Sequence, residues 1–411
     1  MSQVVAEFKQ VDSWFFRESR PHGSVGANAL NSVFPPPTRT LMGAIRSYIG
    51  YQYFAQHNEY NWDNLDNLPQ LQAVIGHAER LGSVQPRGVF IKRISGKDTT
   101  YYLPAPSNIC EKFEQDKNHY LAFKLTQKPY QTDIGHIHLA TLPEMVEGLV
   151  DSRGFKPLEN TWISTQCWQA ILEGDISALA KNSHQICKLD DFINSEYRLG
   201  IELQTDFSKE NVRSVKEGQL YQTTHLRLAP DVSVVMPMQY DADDLSQVGN
   251  EVLAKQATLR LGGEARMANV QFLTEQADYL PKAPKQFTQT QSNGKKRFML
   301  YFISKLIMQN GWLPQGFTQN QAQNGFDGNI NDIAMTIVSA CMGKAYREGG
   351  WNQLEHKPRP IENYLPAGTA LFIDVDESIN DSEIIAKLHG KTYLDNAWGE
   401  GLMLVGKVIQ N

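Results

Sequence analysis

What most constrains this chain is the order in which its hydrophobic periods follow one another. Residues 3–11 alternate as a short strand, and a Gly/Pro-rich stretch then leads into Pro35-Pro36-Pro37-Thr38. From 38 to 54 the period is helical: Leu41, Ile45, Tyr48 and Ile49 share one side, with Thr38 near the N-cap. Two-residue alternation returns at 198–203, with Leu199, Ile201 and Leu203 on one face. It returns again at 220–228, where Tyr221, Thr223, His225 and Arg227 lie opposite Leu220, Leu226 and Leu228. A helix near 245–258 and a strand at 267–273 complete a β-α-(insertion)-β-β-α-β order. That is the ferredoxin-like arrangement. After a linker at 281–296, strands at 297–306, 333–341, 368–374 and 402–409 and a helix at 381–389 make a second, reduced copy. The fold class expected is α+β: two tandem ferredoxin-like (RRM-like) domains with a large insertion in the first. The first domain is expected over 1–280 and the second over 297–411. The insertion, at about 60–190, has no clean period and some helix of its own.

Charge is unevenly placed. The net charge is −6, which is unlike a free nucleic-acid binder. Yet 19–58 contains no carboxylate while holding Arg20, Arg39 and Arg46, and 80–97 has basic residues and no acid. Acid gathers at Asp241, Asp243 and Asp244 and again at 374–383. A chain with one cationic and one acidic face suits a subunit lying between RNA and protein neighbours. On the 38–54 helix, Arg39, Gly43, Arg46 and Gly50 lie opposite the apolar side. Glycine costs a helix about 1 kcal/mol against alanine, so a second glycine-bearing face reads as a place where a phosphate chain or backbone comes close.

Chemical motifs are scarce. There is no H-E-x-x-H, no G-x-S-x-G and no G-x-x-x-x-G-K-[ST]. Cys110, Cys167, Cys187 and Cys341 are widely spaced, as expected of reduced thiols in a cytoplasm rather than a zinc site or disulfide framework. His136 and His138 form a lone H-x-H. No run of about 18 apolar residues suggests a membrane span. Neither metal nor cofactor is expected. Leu261-Gly262-Gly263-Glu264-Ala265-Arg266 reads as a turn joining a helix to a strand. Trp398-Gly399-Glu400-Gly401 precedes the last strand, where Gly399 and Gly401 would let a backbone lie against phosphates.

Several of these stretches resemble one family. Asp12-Ser13-Trp14-Phe15-Phe16-Arg17, then Arg20-Pro21 and Gly23, are similar to the opening of the third subunit of the Cmr complex, the type III-B CRISPR effector. That family belongs to the RAMP superfamily. Phe34-Pro35-Pro36 with Thr38, Leu41, Gly43, Ala44 and Arg46 resembles its following helix. Gly218-Gln219-Leu220-Tyr221, the 261–266 turn, Gly311-Trp312-Leu313-Pro314, Pro366-Ala367-Gly368 and Gly399/Gly401 follow in the same order. The likeness covers 1–50, 196–270 and 297–411 and departs at the terminal glycine loop, where Gly390 stands far from Gly399 and Glu400 is acidic.

The resemblance implies a non-catalytic subunit at the foot of the complex, beside the large cyclase-like subunit and the backbone RAMP subunits, helping to hold the 5′ tag of the crRNA. The polar segment 206–218 would be a thumb over that RNA. Arg17, Arg20, Arg39 and Arg46 would neutralise phosphates with Arg213 and Lys216 on the thumb, and Arg266 joins this set. Tyr221 and His225 would stack on unpaired bases. The competing reading is a metal-independent endoribonuclease that processes CRISPR precursor RNA, with His22 and His225 as acid and base.

Overall fold

The computed structural model describes residues 1–19, 28–58, 60–78, 80–133, 135–143, 153–206, 212–249, 251–254, 256–274, 278–308, 311–320, 324–353 and 355–409, with only the backbone at 28, 201–206 and 212–220. The chain is mixed α+β, with many strands and few helices. It divides into two compact units. One holds Met1–Gly96, Asp190–Gln276 and Glu348–Ile361; the other holds Lys97–Leu189, Ala277–Arg347 and Glu362–Asn411. The 60–190 segment is therefore shared, and most of it lies in the second unit instead of being an insertion carried by the first. Among the described residues no helix is long and apolar enough to cross a membrane.

In the first unit, β1 (Ser2–Gln10) is the central strand. Helix α1 (Thr38–His57) follows, then β2 (Phe90–Ser95), the long strands β3 (Ile193–Asp206) and β4 (Val212–Leu228), and β5 (Val232–Tyr240). Helix α2 (Ala242–Val248), β6 (Ala257–Arg260) and β7 (Met267–Leu273) come last. Within this unit the strand order is β2-β5-β1-β7-β6, with every pair antiparallel. Val4 faces Met238 and Phe8 faces Val234 on one edge, and Phe8 faces Val270 on the other.

This differs from the expected strand assignment. The runs at 198–203 and 220–228 are not the sheet's second and third strands; they are parts of β3 and β4, which pair into a separate long hairpin joined in parallel by Asn28–Leu30. Their places in the sheet are taken by β2 and β5. Strand β5 carries Pro237, a residue that normally argues against an inner strand. Pro237 is accommodated because the outer neighbour of β5 changes there from Phe90 to the short Gln85–Pro86 strand. The helix expected over 245–258 is shorter, spanning Ala242–Val248, with Asp241 as its N-cap accepting from the amides of Asp243 and Asp244.

Helix α1 behaves as its pattern predicts. Leu41, Ile45 and Ile49 are fully buried, each contributing about 1.5–3 kcal/mol of transfer free energy. Asn58 ends the helix in the left-handed conformation, φ 51°, donating its N–H to Phe54 O. Pro37, not Thr38, sits at the N-cap, and no side chain caps the helix there. On the sheet face opposite Ala6 and Phe8, Glu7 is buried in a row that crosses three strands: Lys92 Nζ lies 2.8 Å from it and Ser233 Oγ 2.7 Å. Burial opposes its ionisation, but these hydrogen bonds outweigh that and hold the carboxyl below its ordinary range.

The second unit has strands β8 (Lys296–Phe302), β9 (Phe326–Ile330), β10 (Ile333–Cys341), β11 (Thr369–Val375) and β12 (Met403–Gly406). Helix α3 (Asp381–Leu388) crosses from β11 to β12. Sheet order is β12-β8-β11-β10-β9, around a core of Phe298, Leu300, Phe302, Ile337, Leu371, Ile373 and Val405. Among the described residues no α-helix lies between β8 and β10. The four cysteines are buried free thiols, and burial pushes Cys110 and Cys341 up to about 12.

Gly368 opens β11 with φ +91°, and a Cβ there would stand 2.3 Å from the Ala105 carbonyl oxygen. Its own amide donates to Phe302 O at 2.7 Å. Strain and overlap together predict that Gly368→Ala lowers stability by about 3 kcal/mol. Gly343→Ala, whose Cβ would meet only Pro366 at 3.5 Å, should cost less than about 1 kcal/mol. Urea titration of the two variants checks the difference.

Candidate nucleic-acid interface

The hairpin of β3 and β4 is anchored at its root by the segment that follows β1. Trp14 bridges to Leu226, with reciprocal backbone hydrogen bonds of 2.8 Å. Its indole Nε1 donates to Met267 O at 3.1 Å. Two residues on, Phe16 N donates to Ser32 Oγ, whose hydroxyl donates to Thr224 O at 2.7 Å. Arg17, exposed, bridges to Ser32. Trp14, Phe15 and Phe16 are all buried, so this aromatic run packs the protein and presents no ring to a ligand.

A lattice of six charges surrounds the root. Asp12 accepts from Arg227 at 2.9 Å, from Arg266 at 3.1 Å and from Arg198 at 3.2 Å. Glu196 accepts from the same Arg198 at 2.7 Å and Arg227 at 2.7 Å. Arg266 also lies 3.5 Å from Glu264. Hydrogen bonds from Arg227 and Arg198 hold Asp12 down to about 2 and keep Glu196 low, while both arginines are raised by these partners. Sequence reasoning missed Asp12, Glu196, Arg198 and Glu264 as a group. Glu196 and His225 are cross-strand partners only once the hairpin register is known.

The 261–266 turn closes a hairpin between β6 and β7, not the helix-to-strand joint expected. Glu264 and Ala265 both have positive φ, 52° and 53°, and Arg266 N donates to Gly263 O at 3.2 Å, which is the type I′ pattern. A Cβ on Gly262 would lie 2.5 Å from Phe15 O, and Gly263 N donates to that oxygen at 2.8 Å. These glycines admit the protein's own backbone.

His225 is fully buried and therefore cannot stack on a base. Its ring lies parallel to Phe15, 5.2 Å between centroids and 13° apart. Nε2 is 3.0 Å from Glu264 Oε2 and Nδ1 is 3.1 Å from Ser13 Oγ. A carboxylate only accepts, so Nε2 carries the proton and Nδ1 takes the Ser13 hydroxyl. Both nitrogens are thus committed, which removes His225 as the general base of a ribonuclease. Burial, opposed by the Glu264 charge and reinforced by Arg198 and Arg266, holds its pKa below the ordinary value. His22 and Arg20 lie outside the described residues.

Tyr221 is half-buried, with its ring across Gly200, where a Cβ would stand 2.2 Å from Cζ. Of the expected polar connection at 206–218, Asp206 and 212–218 continue the hairpin, since pairing runs on to Asp206 opposite Val212 after a register shift between Ile201 and Leu203, while 207–211 lie outside the described residues. Arg213 and Lys216 belong to β4, and their side chains are outside the described set. Leu199, expected to share a face with Ile201 and Leu203, is 74% exposed, and Tyr197 on the same strand is 71% exposed.

On α1, Arg39 and Arg46 are half-buried, and Arg46 Nη1 donates to Ala78 O at 3.4 Å. A Cβ on Gly43 would meet nothing within 4 Å, so that part of the face is open. Gly50 is different: the Trp62 ring covers it, 2.1 Å from where a Cβ would stand. In the second unit Gly399 and Gly401 are buried, with φ +70° and +67°. Glu400 between them is buried against Lys305 Nζ at 3.3 Å. That loop folds into its own unit, so neither glycine offers its backbone to RNA. The structure thus gathers Arg17, Tyr221, His225 and Arg266 near the hairpin root, and leaves Gly399 and Gly401 in the other unit.

The sequence matches the family described as CRISPR-associated protein (Cas_Cmr3) over residues 8–408. The chain belongs to the Cas_Cmr3 family. Among curated proteins none matches it. Solved structures similar to it include a chain of the type III-B Cmr-beta complex bound to cognate target RNA, with a TM-score of 0.43 and 16% identity over 90% of this chain and 86% of that one. Another is a chain of the Csm3-Csm4 subcomplex of the type III-A interference complex, with a TM-score of 0.36 and 11% identity over the whole of both chains.

Because His225 is buried neutral, lowering pH through the ordinary histidine range charges it in the unfolded chain first. Its contribution to stability is full above about pH 6.5 and is lost as pH falls below that. Thermal midpoints of the wild type and His225→Gln should therefore approach each other between pH 7.5 and 5.5. Parallel curves would show that His225 carries no pH dependence.

Proposed function

We propose that this Cas_Cmr3 family member is a non-catalytic RNA-holding subunit of a type III-B Cmr effector complex. In this reading it helps hold the 5′ tag of the crRNA and bridges the large cyclase-like subunit to the backbone RAMP subunits. The observation that carries the reading is the family match over residues 8–408. The α1 face supports it, since Arg39, open Gly43 and Arg46 lie in a stretch with no carboxylate from 19 to 58. We also read both units as ferredoxin-like. In the first, the order β2-β5-β1-β7 places chain-order strands as 2-3-1-4; in the second, β12-β8-β11-β10 gives 4-1-3-2. The second would lack its first helix.

In this proposal the β3–β4 hairpin is the thumb. Its root is fixed by the charge lattice, and Arg213 and Lys216 lie toward its far end on β4. Arg17, Arg39 and Arg46 are the other phosphate contacts we retain, with Arg20 between Arg17 and Arg39 in the chain. Arg266 acts by positioning, through Asp12. Tyr221 keeps an exposed part from which it would meet a base.

For the double variant Arg39→Ala/Arg46→Ala, we expect weaker binding of tag-containing RNA. The slope of log affinity against log salt should fall by about 0.7 for each phosphate that is no longer neutralised. Arg39→Ala alone leaves the hydrogen bond from Arg46 to Ala78 intact, and circular dichroism checks that both variants are folded. An unchanged slope would remove this helix from the interface. Purification from the native host tests the wider reading: Cmr subunits and crRNAs with one common 5′ tag should co-purify. A solitary protein that cleaves repeat RNA would favour the endoribonuclease instead.

A further inference from the structure

The second unit contains a cavity that the RNA-holding reading does not use. Arg297 on β8, Asp374 on β11 and Thr336 on β10 are successive cross-strand partners, and the row continues to Asp327 on β9. Arg297, Asp374 and Thr336, with Lys295 and His138, line a space of about 50 Å³. On this measure one water needs about 10–15 Å³, so the space has room for a few waters or one small tetrahedral ion and is too small for a nucleoside. Its lining is polar apart from Val338, and polar cavities are normally filled by a partner that satisfies them.

We propose that this cavity receives one phosphate group. Arg297 is spent largely on Asp374, with Nε and Nη2 donating to the two carboxylate oxygens at 2.6 and 2.8 Å. That pair is self-neutralising and sets the wall. Lys295 is different. Its Nζ has one hydrogen bond, to Thr336 Oγ1 at 3.3 Å, and forms no ion pair among the described residues. Thr336 passes its own proton to Asp327 Oδ1 at 2.6 Å, so Asp327 reaches the ammonium only through the hydroxyl. Asp376, held low first by Ser378, also feels Lys295, but as a field rather than a contact. A half-buried ammonium of this kind retains donors for an oxyanion, and hydrogen bonds to charged groups are the strong ones. The amides of Asn293 and Asn324 at the rim add neutral donors.

The site is also preorganised. His138 N donates to Val338 O at 3.3 Å, and Ser339 Oγ donates to His138 O at 2.5 Å. Its ring Nδ1 lies 2.7 Å from Thr126 O, which can only accept, so Nδ1 carries the proton. Backbone and ring are thereby fixed, leaving Nε2 as the nitrogen open to a ligand. Of the H-x-H motif, His138 and not His136 lines this polar wall. A phosphate reaching this cavity has two sources, the terminal group of a mononucleotide or a backbone diester of RNA.

Inorganic phosphate titrated into the full-length chain at low salt, followed by calorimetry, tests the site without any RNA. Saturable binding is expected, weakened about tenfold or more by Lys295→Gln, as removal of a charge-assisted hydrogen bond predicts. Lys295→Arg should retain it, and Lys285→Gln, at an exposed lysine away from the cavity, should leave it unchanged. Circular dichroism confirms that each variant is folded. Competition then distinguishes the sources: AMP alone competing assigns a mononucleotide phosphate, and a 5′-hydroxyl RNA octamer competing assigns a backbone phosphate. Absence of saturable phosphate binding, or equal binding by wild type and folded Lys295→Gln, would overturn the proposal. Because the primary readout contains no RNA, its failure would leave the tag-holding reading standing, and the converse also holds.

Discussion

The first unit depends on satisfying both edges of β1. Buried backbone donors and acceptors must be paired, and β1 occupies the centre of its sheet with Ala6 and Phe8 fully buried. Neither partner is local: β5 and β7 come from the far end of the 190–276 segment. Everything between has to leave the sheet and return in register. The two charged side chains buried in this sheet, Glu7 and Lys92, pair with each other. A one-residue slip of β1 would turn Glu7 out of that pair and leave a buried ion without its partner, an error costing several kcal/mol. The ion pair thus serves register more than net stability.

The hairpin uses surface electrostatics differently. Asp12, Glu196 and Glu264 face Arg198, Arg227 and Arg266, three of each sign, and most of these groups remain partly solvated. Single exposed pairs contribute little. Their value here is geometric, because Asp12 and Glu196 each touch more than one cation and Glu264 ties Arg266 to His225, so the angle of the hairpin is over-determined. His225, Ser13 and Phe15 secure the same root from within. In the proposed complex, a hairpin held this way would reach its RNA from a fixed base.

Much of this is legible where one period dominates. Helix α1, strands β1, β7, β10 and β11, and helix α3 fall within a few residues of their expected spans, because local alternation or helical spacing coincides with burial. Strand β5 is not legible, since Pro237 signals a break and its accommodation depends on a change of neighbour that only the sheet reveals. The alternation of 220–228 is real but misleading: Thr223 and His225 are as buried as Leu226 and Leu228, because the root has protein on both faces. Glycines mislead in a consistent way. Gly50, Gly262, Gly263 and Gly401 each lie against protein where a Cβ would collide. Sequence shows that a close approach exists without showing what approaches. Of the residues expected to touch RNA, the helix arginines stay compatible with an RNA surface, whereas His225, Gly399 and Gly401 are enclosed.

The two units are also interleaved along the chain: the first takes its last piece from Glu348–Ile361, after most of the second has been made. At a synthesis rate of about 5–20 residues per second, β1 emerges on the order of ten seconds or more before β7 exists to cover its second edge. During that interval an apolar strand is held open on the ribosome, the situation in which nascent chains pair with the wrong partner or need a chaperone. The carboxylate-free arginine stretch follows β1 directly and is translated within the same interval, so its charge can keep the nascent chain soluble before it meets any RNA.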